Sequence, residues 1–215
     1  MTRLALLFDL DGTLIDSIGL LVACMEHAFI GHLRVPTQAQ WVSGIGTPLR
    51  TQLADWCDDV AAVERLVQRY REFQELHLER RTSAYPGVLE MLAWARARGH
   101  ATAVVTSKGR VMTARSLGHV GLAEAFDTVV TYEDTDRHKP EPEPVLHAMD
   151  RLRMLPAQAI FVGDSPHDMH AGRAAGVMTA AALWGPFSRE ELAPAHPMWW
   201  LSDIGELRDI VNAQA

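Results

Sequence analysis

The sequence predicts an α/β protein in which a parallel sheet forms the core and a helical subdomain is inserted after the first strand. Short, continuously apolar runs recur along the chain, and helical segments separate them. This alternation indicates right-handed β–α–β units, which build a doubly wound parallel sheet. Between residues 17 and 82 the apolar residues instead follow helical spacing and no strand-like run occurs, which predicts the insertion.

The first apolar run, residues 4–8, ends on Asp9 and is typical of a strand buried on both faces. Four further runs predict strands at 101–105, 127–131, 159–162 and 177–182. The segments between them begin near proline and end near glycine, as helices commonly do. These segments predict helices over 88–98, 110–117, 144–152 and 168–175.

Two helical faces identify the insertion. The apolar residues of these faces are Leu21, Cys24, Met25, Ala28 and Phe29 in one segment and Val63, Leu66, Val67, Tyr70 and Phe73 in another. The predicted hinges lie near 15–17 and 83–86. We therefore expect a core domain formed by residues 1–16 and 83–215, and an α-helical cap domain formed by residues 17–82.

Composition excludes several classes of function. The chain has 20 basic and 27 acidic residues, a net charge of −7, and this argues against nucleic-acid binding, which needs a basic surface. The chain has no apolar run near the ~20 residues of a membrane span, and its two cysteines, Cys24 and Cys57, are too far apart to form a CxxC motif. We expect a cytoplasmic protein. The adjacent Trp199 and Trp200 predict packing at the sheet edge or a dimer contact, so the chain is expected to be a monomer or a homodimer.

Two carboxylates follow the first predicted strand, Asp9 at its end and Asp11 two positions later, with Gly12 next. The carboxyl ends of the strands form the ligand-binding edge of an open α/β sheet. Two carboxylates in a small volume repel each other unless a cation compensates, and Mg²⁺ prefers such oxygen ligands. The segment therefore predicts a Mg²⁺ site, with an acidic turn as the alternative. A calcium EF-hand is excluded, because Leu14 and Leu20 stand where that loop needs glycine and glutamate.

Three later segments carry further polar side chains. Thr106 and Ser107 follow the second run and offer a hydroxyl and backbone N–H groups for phosphate, or alternatively a helix N-cap. Lys139 precedes a proline-rich segment that can aim its ammonium at phosphate, although a surface lysine is the alternative. Asp164 ends another run and Asp168 lies four residues on, where a metal site explains both acids better than N-capping does.

Along the chain, the candidate residues follow one another as an acid pair, a hydroxyl, a lysine and further acids. In this order the chain resembles the haloacid dehalogenase (HAD) superfamily, in its phosphoglycolate phosphatase-like branch. The resemblance covers nearly the whole chain. It is carried by Asp9-x-Asp11-Gly12-Thr13, Thr106, Lys139-Pro140 and Gly163-Asp164-x3-Asp168. It implies a Rossmann-like parallel sheet with an α-helical cap inserted after the first motif.

The resemblance also implies roles for individual residues. Asp9 would attack phosphorus and form an aspartyl-phosphate. Asp11 would protonate the leaving oxygen and then activate the hydrolytic water. Thr106 and the N–H groups of Ser107 would hold the phosphoryl oxygens, while Lys139 would neutralise charge on the nucleophile and the phosphate.

The implied cofactor is Mg²⁺. Its expected ligands are Asp9, Asp11 through the backbone carbonyl, Asp164 and Asp168. Asp168 would bind the ion directly, or would act through water or Lys139.

Asp11 distinguishes reaction types, because dehalogenases of the superfamily lack an acid at this position. Phosphonate-cleaving members also lack it and use a cap lysine, whereas residues 17–82 contain no lysine. We therefore expect a phosphohydrolase acting on a small phosphate monoester such as phosphoglycolate. The alternatives are an inorganic pyrophosphatase, a sugar-phosphate phosphatase or an enzyme like β-phosphoglucomutase. A more remote alternative is a non-catalytic HAD-fold protein that binds phosphorylated ligands.

A loop between two predicted cap helices resembles the substrate-specificity loop of the superfamily. Its candidate substrate contacts are Gly46, Thr47 and Arg50. Arg50 would bind a carboxylate or a second phosphate through two hydrogen bonds. The alternative places Arg50 on a solvated helix start.

Overall fold

A sheet of six parallel strands forms the centre of the molecule, in a computed structural model that describes residues 3–214. The strand order is β5-β4-β1-β6-β7-β8, and β2 and β3 form a separate two-stranded ribbon. The strands are β1 (Ala5–Phe8), β2 (Ile15–Asp16), β3 (Ser83–Ala84), β4 (Ala101–Val105), β5 (Thr128–Val130), β6 (Ala159–Gly163), β7 (Met178–Ala182) and β8 (Trp199–Leu201). The predicted Rossmann-like α/β fold is confirmed.

Helices cover both faces of the sheet and also form the inserted segment. They are α1 (Ile18–Ala28), α2 (Gln38–Ser43), α3 (Leu49–Ala54), α4 (Val60–Arg81), α5 (Val88–Ala97), α6 (Arg110–His119), α7 (Glu143–Leu152), α8 (Pro166–Ala174), α9 (Arg189–Leu192) and α10 (Leu207–Ala213). No helix within residues 3–214 is long and apolar enough to cross a membrane.

Successive side chains of β1 point to opposite faces of the sheet, so the core has two hydrophobic layers. Leu6 and Phe8 face a cluster that includes side chains of α5 and α10, whereas Ala5 and Leu7 face a cluster with α7 and α8. All four residues are fully buried, as expected for a central parallel strand whose side chains alternate between two covered faces.

The register places the predicted polar residues at one edge of the sheet. Phe8 pairs with Val104 of β4 on one side and Val162 of β6 on the other. The residues that follow these three strands therefore emerge side by side. The backbone N–H of Asp9 extends the pairing by donating to the carbonyl of Val162 at 2.9 Å.

Four helices, α1–α4, lie between β2 and β3 and have a hydrophobic cluster of their own, to which α6 adds Met112. We call this segment the cap and the sheet with its helices the core, and we propose the division at 17–82 as the functional one. The ribbon pairs Ile15 with Ala84 and Asp16 with Ser83, so the chain leaves and re-enters the core at one place.

Two details differ from the sequence-based predictions. The tryptophan pair forms most of β8, an edge strand that the apolar-run criterion missed because it is only three residues long and partly exposed. Helix α8 begins two residues before the predicted 168, because Ser165 caps it and Pro166 occupies its first turn.

Candidate active site

Three buried carboxylates and one lysine meet at the carboxyl edge of the sheet. Asp9 follows β1, Asp164 follows β6, and Asp168 lies in the first turn of α8. One oxygen from each carboxylate lies within 4.8 Å of the others. The Nζ atom of Lys139 lies 2.7 Å from Oδ1 of Asp9 and 2.6 Å from Oδ1 of Asp168. The structure thus brings these four sequence-predicted residues together.

The electrostatics of this cluster are unbalanced, because one ammonium faces three acids. Burial raises the pKa of Asp9 to about 7, although Lys139 lowers it. Burial and the neighbouring Asp9 and Asp168 raise the pKa of Asp164 well above its usual range. Burial alone would lower the pKa of Lys139, but Asp168 and Asp9 raise it above the ordinary lysine value. The cluster therefore has room for more positive charge.

Asp164 has a free oxygen that a cation would satisfy. Its Oδ1 accepts a hydrogen bond of 2.5 Å from the hydroxyl of Thr13, whereas its buried Oδ2 has no partner among residues 3–214. Gly12, at φ +86°, leaves room beside this oxygen, since a Cβ there would stand 2.4 Å from Oδ2. Buried carboxylate oxygens of this kind suit Mg²⁺.

Asp168 has no such free oxygen. Its Oδ1 accepts from Lys139, and its Oδ2 accepts from the backbone N–H and the hydroxyl of Ser165, at 3.1 and 2.6 Å. The donor set therefore fits a divalent cation held by Asp9 and Asp164, with Asp168 orienting Lys139. Direct ligation by Asp168 stays a prediction.

The carboxylate of Asp11 lies outside the cluster of three acids. Its Oδ1 and Oδ2 accept from the ammonium of Lys108 at 2.7 and 3.0 Å, and Oδ1 also accepts from the hydroxyl of Ser17 at 2.7 Å. The Asp11 carboxylate is therefore not one of the three that lie close enough together to share a metal ion. Ligation through its backbone carbonyl remains a prediction.

The predicted phosphate-binding pair lies beside Asp9 at the end of β4. Thr106 is buried, and its hydroxyl accepts from the N–H of Lys108 at 3.2 Å. The hydroxyl of Ser107 donates to the carbonyl of Gly46 in the cap at 2.6 Å. Ser107 therefore joins core to cap, and its role in binding phosphate stays a prediction.

A cavity of about 320 Å³ lies between the core and the cap, and its volume is within the range of small-molecule sites. Asp9, Asp11 and Thr106 line it from the core. Its cap side includes all three predicted specificity residues, Gly46, Thr47 and Arg50. Arg50, however, forms an ion pair with Glu64, and both side chains are more than two-fifths exposed.

Lys108 is a site residue to which the sequence analysis assigned no role. Only 8% of its side chain is exposed, against Asp11 at 12%. The sequence contained one signal that went unused: the chain has only two lysines, Lys108 and Lys139, among its 20 basic residues. Both are buried against carboxylates at this edge of the sheet.

Comparison with known families gives a match over most of the chain. A family model described as "Haloacid dehalogenase-like hydrolase" matches residues 6–182. The chain is 37% identical to a protein of Caldanaerobacter subterraneus subsp. tengcongensis named "Putative pyrophosphatase PpaX", over 97% of this chain and 94% of that protein. It is 34% identical to "Pyrophosphatase PpaX" of Bacillus velezensis, over 98% of this chain and 97% of that protein.

Solved structures show the same fold. The crystal structure of a predicted phosphoglycolate phosphatase from Haemophilus somnus superposes with a TM-score of 0.87 at 24% identity. The match covers 98% of this chain and 99% of that one, and therefore includes both the core and the cap.

Proposed function

Because the chain belongs to the haloacid dehalogenase-like hydrolases and is a phosphatase, we propose that it hydrolyses a small phosphate compound through an aspartyl-phosphate on Asp9, with Mg²⁺ as cofactor. The observation that carries this proposal is the position of Asp9. It lies at the cavity wall, 4% exposed, with Lys139 at 2.7 Å and Thr106 beside it. A carboxylate is a weak nucleophile, and this arrangement supplies the orientation that it needs.

In the first step a carboxylate oxygen of Asp9 forms a bond to phosphorus, and the bond from phosphorus to the leaving oxygen breaks. Asp11 gives a proton to that oxygen as it departs. The side chain of Asp11 also borders the cavity, and it is held there by Lys108 and Ser17. Thr106 and the N–H groups of Ser107 hold the phosphoryl oxygens.

In the second step water attacks the phosphorus of the aspartyl-phosphate and gives a proton to Asp11. The bond between Asp9 and phosphorus breaks, inorganic phosphate leaves, and both carboxylates return to their starting states. Lys139 balances the charge of Asp9 throughout, since its ammonium lies on that carboxylate and on Asp168. A mutase would need a sugar phosphate instead of water as the acceptor.

Asp9, Asp164 and the backbone carbonyl of Asp11 would hold the Mg²⁺ ion. When bound, Mg²⁺ supplies Lewis-acid charge that neutralises the phosphoryl oxygens. The unpartnered Oδ2 of Asp164 and the surplus of acids support this assignment.

Pyrophosphate is the substrate we propose first, because the relatives at 34–37% identity over nearly the whole chain are named pyrophosphatases. Phosphoglycolate, the example that the resemblance implied, is the second candidate. Both leaving groups are anionic, and the buried ammonium of Lys108 lines the cavity where such a group would lie.

The test is a substrate panel of pyrophosphate, phosphoglycolate, a sugar phosphate and a nucleotide, assayed with Mg²⁺ for kcat/KM. We expect pyrophosphate to exceed the others by about tenfold or more, which corresponds to about 1.4 kcal/mol. A tenfold preference for phosphoglycolate would replace pyrophosphate as the substrate. No turnover of any member, with binding retained, would support the non-catalytic alternative.

The nucleophile is tested by Asp9→Asn. We expect its kcat to fall by about 10³-fold or more, and acid-quenched protein to lose the covalent phosphate that the wild type carries. Asp150→Asn, at an exposed aspartate of α7, is the matched control and should keep full activity. Phosphatase activity retained by Asp9→Asn would refute the mechanism.

A further inference from the structure

One buried polar side chain of the cap lines the cavity without bonding to another described residue. Gln74 of α4 is 5% exposed and lines the cavity, yet its amide makes no hydrogen bond within residues 3–214. Unlike the buried Oε1 of Gln52, its amide atoms are not sealed off from the cavity, so a ligand there can reach them. An isolated polar group in such a place is more informative than an exposed one, because folding alone gives no reason to keep it.

Several buried residues that line the same cavity are apolar or aromatic. Leu21, Trp41 and Met112 are among them and belong to the hydrophobic cluster of the cap. Tyr70 lies one helical turn before Gln74, so the two side chains share a face of α4. A wall of this kind would be more stable with leucine at 74, which makes a purely structural role a poor explanation.

The other glutamines of the cap show the contrast. Gln52 donates to the carbonyl of Thr47 at 2.9 Å, and Gln68 donates to Glu72 at 2.9 Å. Gln68 is exposed on the same helix as Gln74. Gln74 therefore differs from Gln68 in its burial, and from both in making no hydrogen bond at all, although the Oε1 of Gln52 also has no partner among residues 3–214.

We propose that Gln74 is a specificity-determining residue whose amide donates hydrogen bonds to anionic oxygens of the leaving group. The inference rests on the proposed function, because it assumes that the phosphoryl group to be transferred lies at Asp9. The core presents Lys108 to the same cavity, so a leaving group between them meets a cation from the core and a neutral donor from the cap. This combination suits a phosphate or carboxylate and offers nothing comparable to an apolar alcohol.

The cations that the cap offers do not replace this contact. Arg50 is committed to Glu64, and Arg71 is exposed at the rim of the cavity. Both arginine side chains are open to water, which weakens their interactions. The buried donors that the cap offers to the leaving group are therefore the amide of Gln74 and the unpartnered Nε1 of Trp41, and of these the amide has two N–H groups.

The test compares two changes at this position on two kinds of substrate. Gln74→Glu keeps the shape but brings a negative charge, and we expect kcat/KM for pyrophosphate and phosphoglycolate to fall by about 100-fold. Gln74→Leu removes the hydrogen bonds without adding charge and should cost about tenfold. For phenyl phosphate, whose leaving group has no further charged oxygen, both variants should stay within about threefold of wild type.

Gln68→Glu and Gln68→Leu are matched controls on the same helix and should leave all three substrates unchanged. Gln74→Leu also protects the test against misfolding, since leucine is compatible with the apolar wall. Equal losses for charged and apolar leaving groups, or no loss at all, would overturn the inference. Activity in Asp9→Asn would refute the proposed function instead, so the two failures are distinguishable.

Discussion

Asp9 and Asp11 stand two positions apart in the chain, yet each carboxylate is paired with a different lysine. Asp9 lies against Lys139 and Asp11 against Lys108, both at 2.7 Å. A strand directs alternate residues to the same side, but Gly12 and the turn after β1 then separate the two carboxylates. Their different partners suit the two roles we propose, a nucleophile and a proton carrier.

Lys108 is expected to act by positioning Asp11. Lys108→Met keeps the stem of the side chain and removes the ammonium, so Asp11 would keep only its hydrogen bond from Ser17. We expect kcat to fall by about 10- to 100-fold, because proton transfer depends on the orientation of the acid. The measurement is steady-state kinetics on the preferred substrate.

A double-mutant cycle separates positioning from a general structural effect. In an Asp11→Asn background assayed on phenyl phosphate, whose leaving group offers no further charge to Lys108, Lys108→Met should cost less than about twofold further, because the residue that it positions is already inactive. Arg110→Met, at an exposed residue of α6, is the control and should be near wild type. Additive losses would contradict the positioning role.

The sequence predicted most of the residues that the structure brings together around Asp9. Asp164, Thr106 and Asp9 follow neighbouring parallel strands, so their proximity follows from topology alone. Lys108 and Gln74 escaped prediction for a physical reason. Their place in the site depends on side-chain direction and on how the cap docks, and neither has a signature in the order of residues.

At the scale of elements, the loop between α2 and α3 brings the cap into direct contact with the core. Gly46 has φ +103°, and a Cβ there would stand 2.9 Å from the hydroxyl of Ser165. Its carbonyl accepts from Ser107. The residues that the loop contacts in the core belong to two segments of the candidate site, which couples the position of the cap to that of the phosphate-binding groups.

Gly46→Ala should therefore weaken catalysis. Left-handed backbone costs about 1–2 kcal/mol for alanine, and the contact with Ser165 would also have to open. We expect kcat/KM to fall by about tenfold, as measured on the preferred substrate. Gly31→Ala is the control, since Gly31 has φ +84° but open space around it. It should lose similar thermal stability and keep its activity, and an equal loss of activity in both variants would contradict the docking role.

Elements were predictable where the pattern was long enough. The runs behind β1 and β6 contain no polar side chain, and those behind β4 and β7 contain one threonine each; burial on both faces explains this composition. The ribbon of β2 and β3 has two residues in each strand, too few for any periodicity. The ribbon nevertheless lies at the two predicted hinges, which were placed where the helical spacing of the insertion begins and ends.

At the scale of the whole molecule, the acid cluster links stability to pH and to Mg²⁺. In the folded, metal-free protein the pKa of Asp9 is about 7, whereas its usual value is 3.8. The folded state then binds a proton that the unfolded state has lost, so this group lowers stability as pH rises across that window. Three histidines with lowered pKa, His100, His138 and His167, act in the opposite direction below pH 6.5.

Comparing wild type with Asp9→Asn cancels the histidine contribution. In chelator, the variant should gain thermal stability over wild type progressively from about pH 4 to pH 7, and the gain should then level off. With Mg²⁺ at about 100 times its Kd, the wild type should gain about 2.7 kcal/mol and the variant much less. Thermal unfolding across pH, with and without Mg²⁺, measures both effects. A constant difference across pH, or equal Mg²⁺ stabilisation of both proteins, would contradict the assignment of the cluster.

The burial of both lysines has a consequence for the covalent chemistry of this protein. Every other basic side chain is an arginine, apart from the histidines, so the surface offers acylating or aldehyde reagents no lysine amine. Any lysine modification, by a laboratory reagent or by an acyl donor in a cell, has to fall on Lys108 or Lys139. The rate at which a lysine-directed reagent labels this chain would therefore measure how often the cavity between the core and the cap opens.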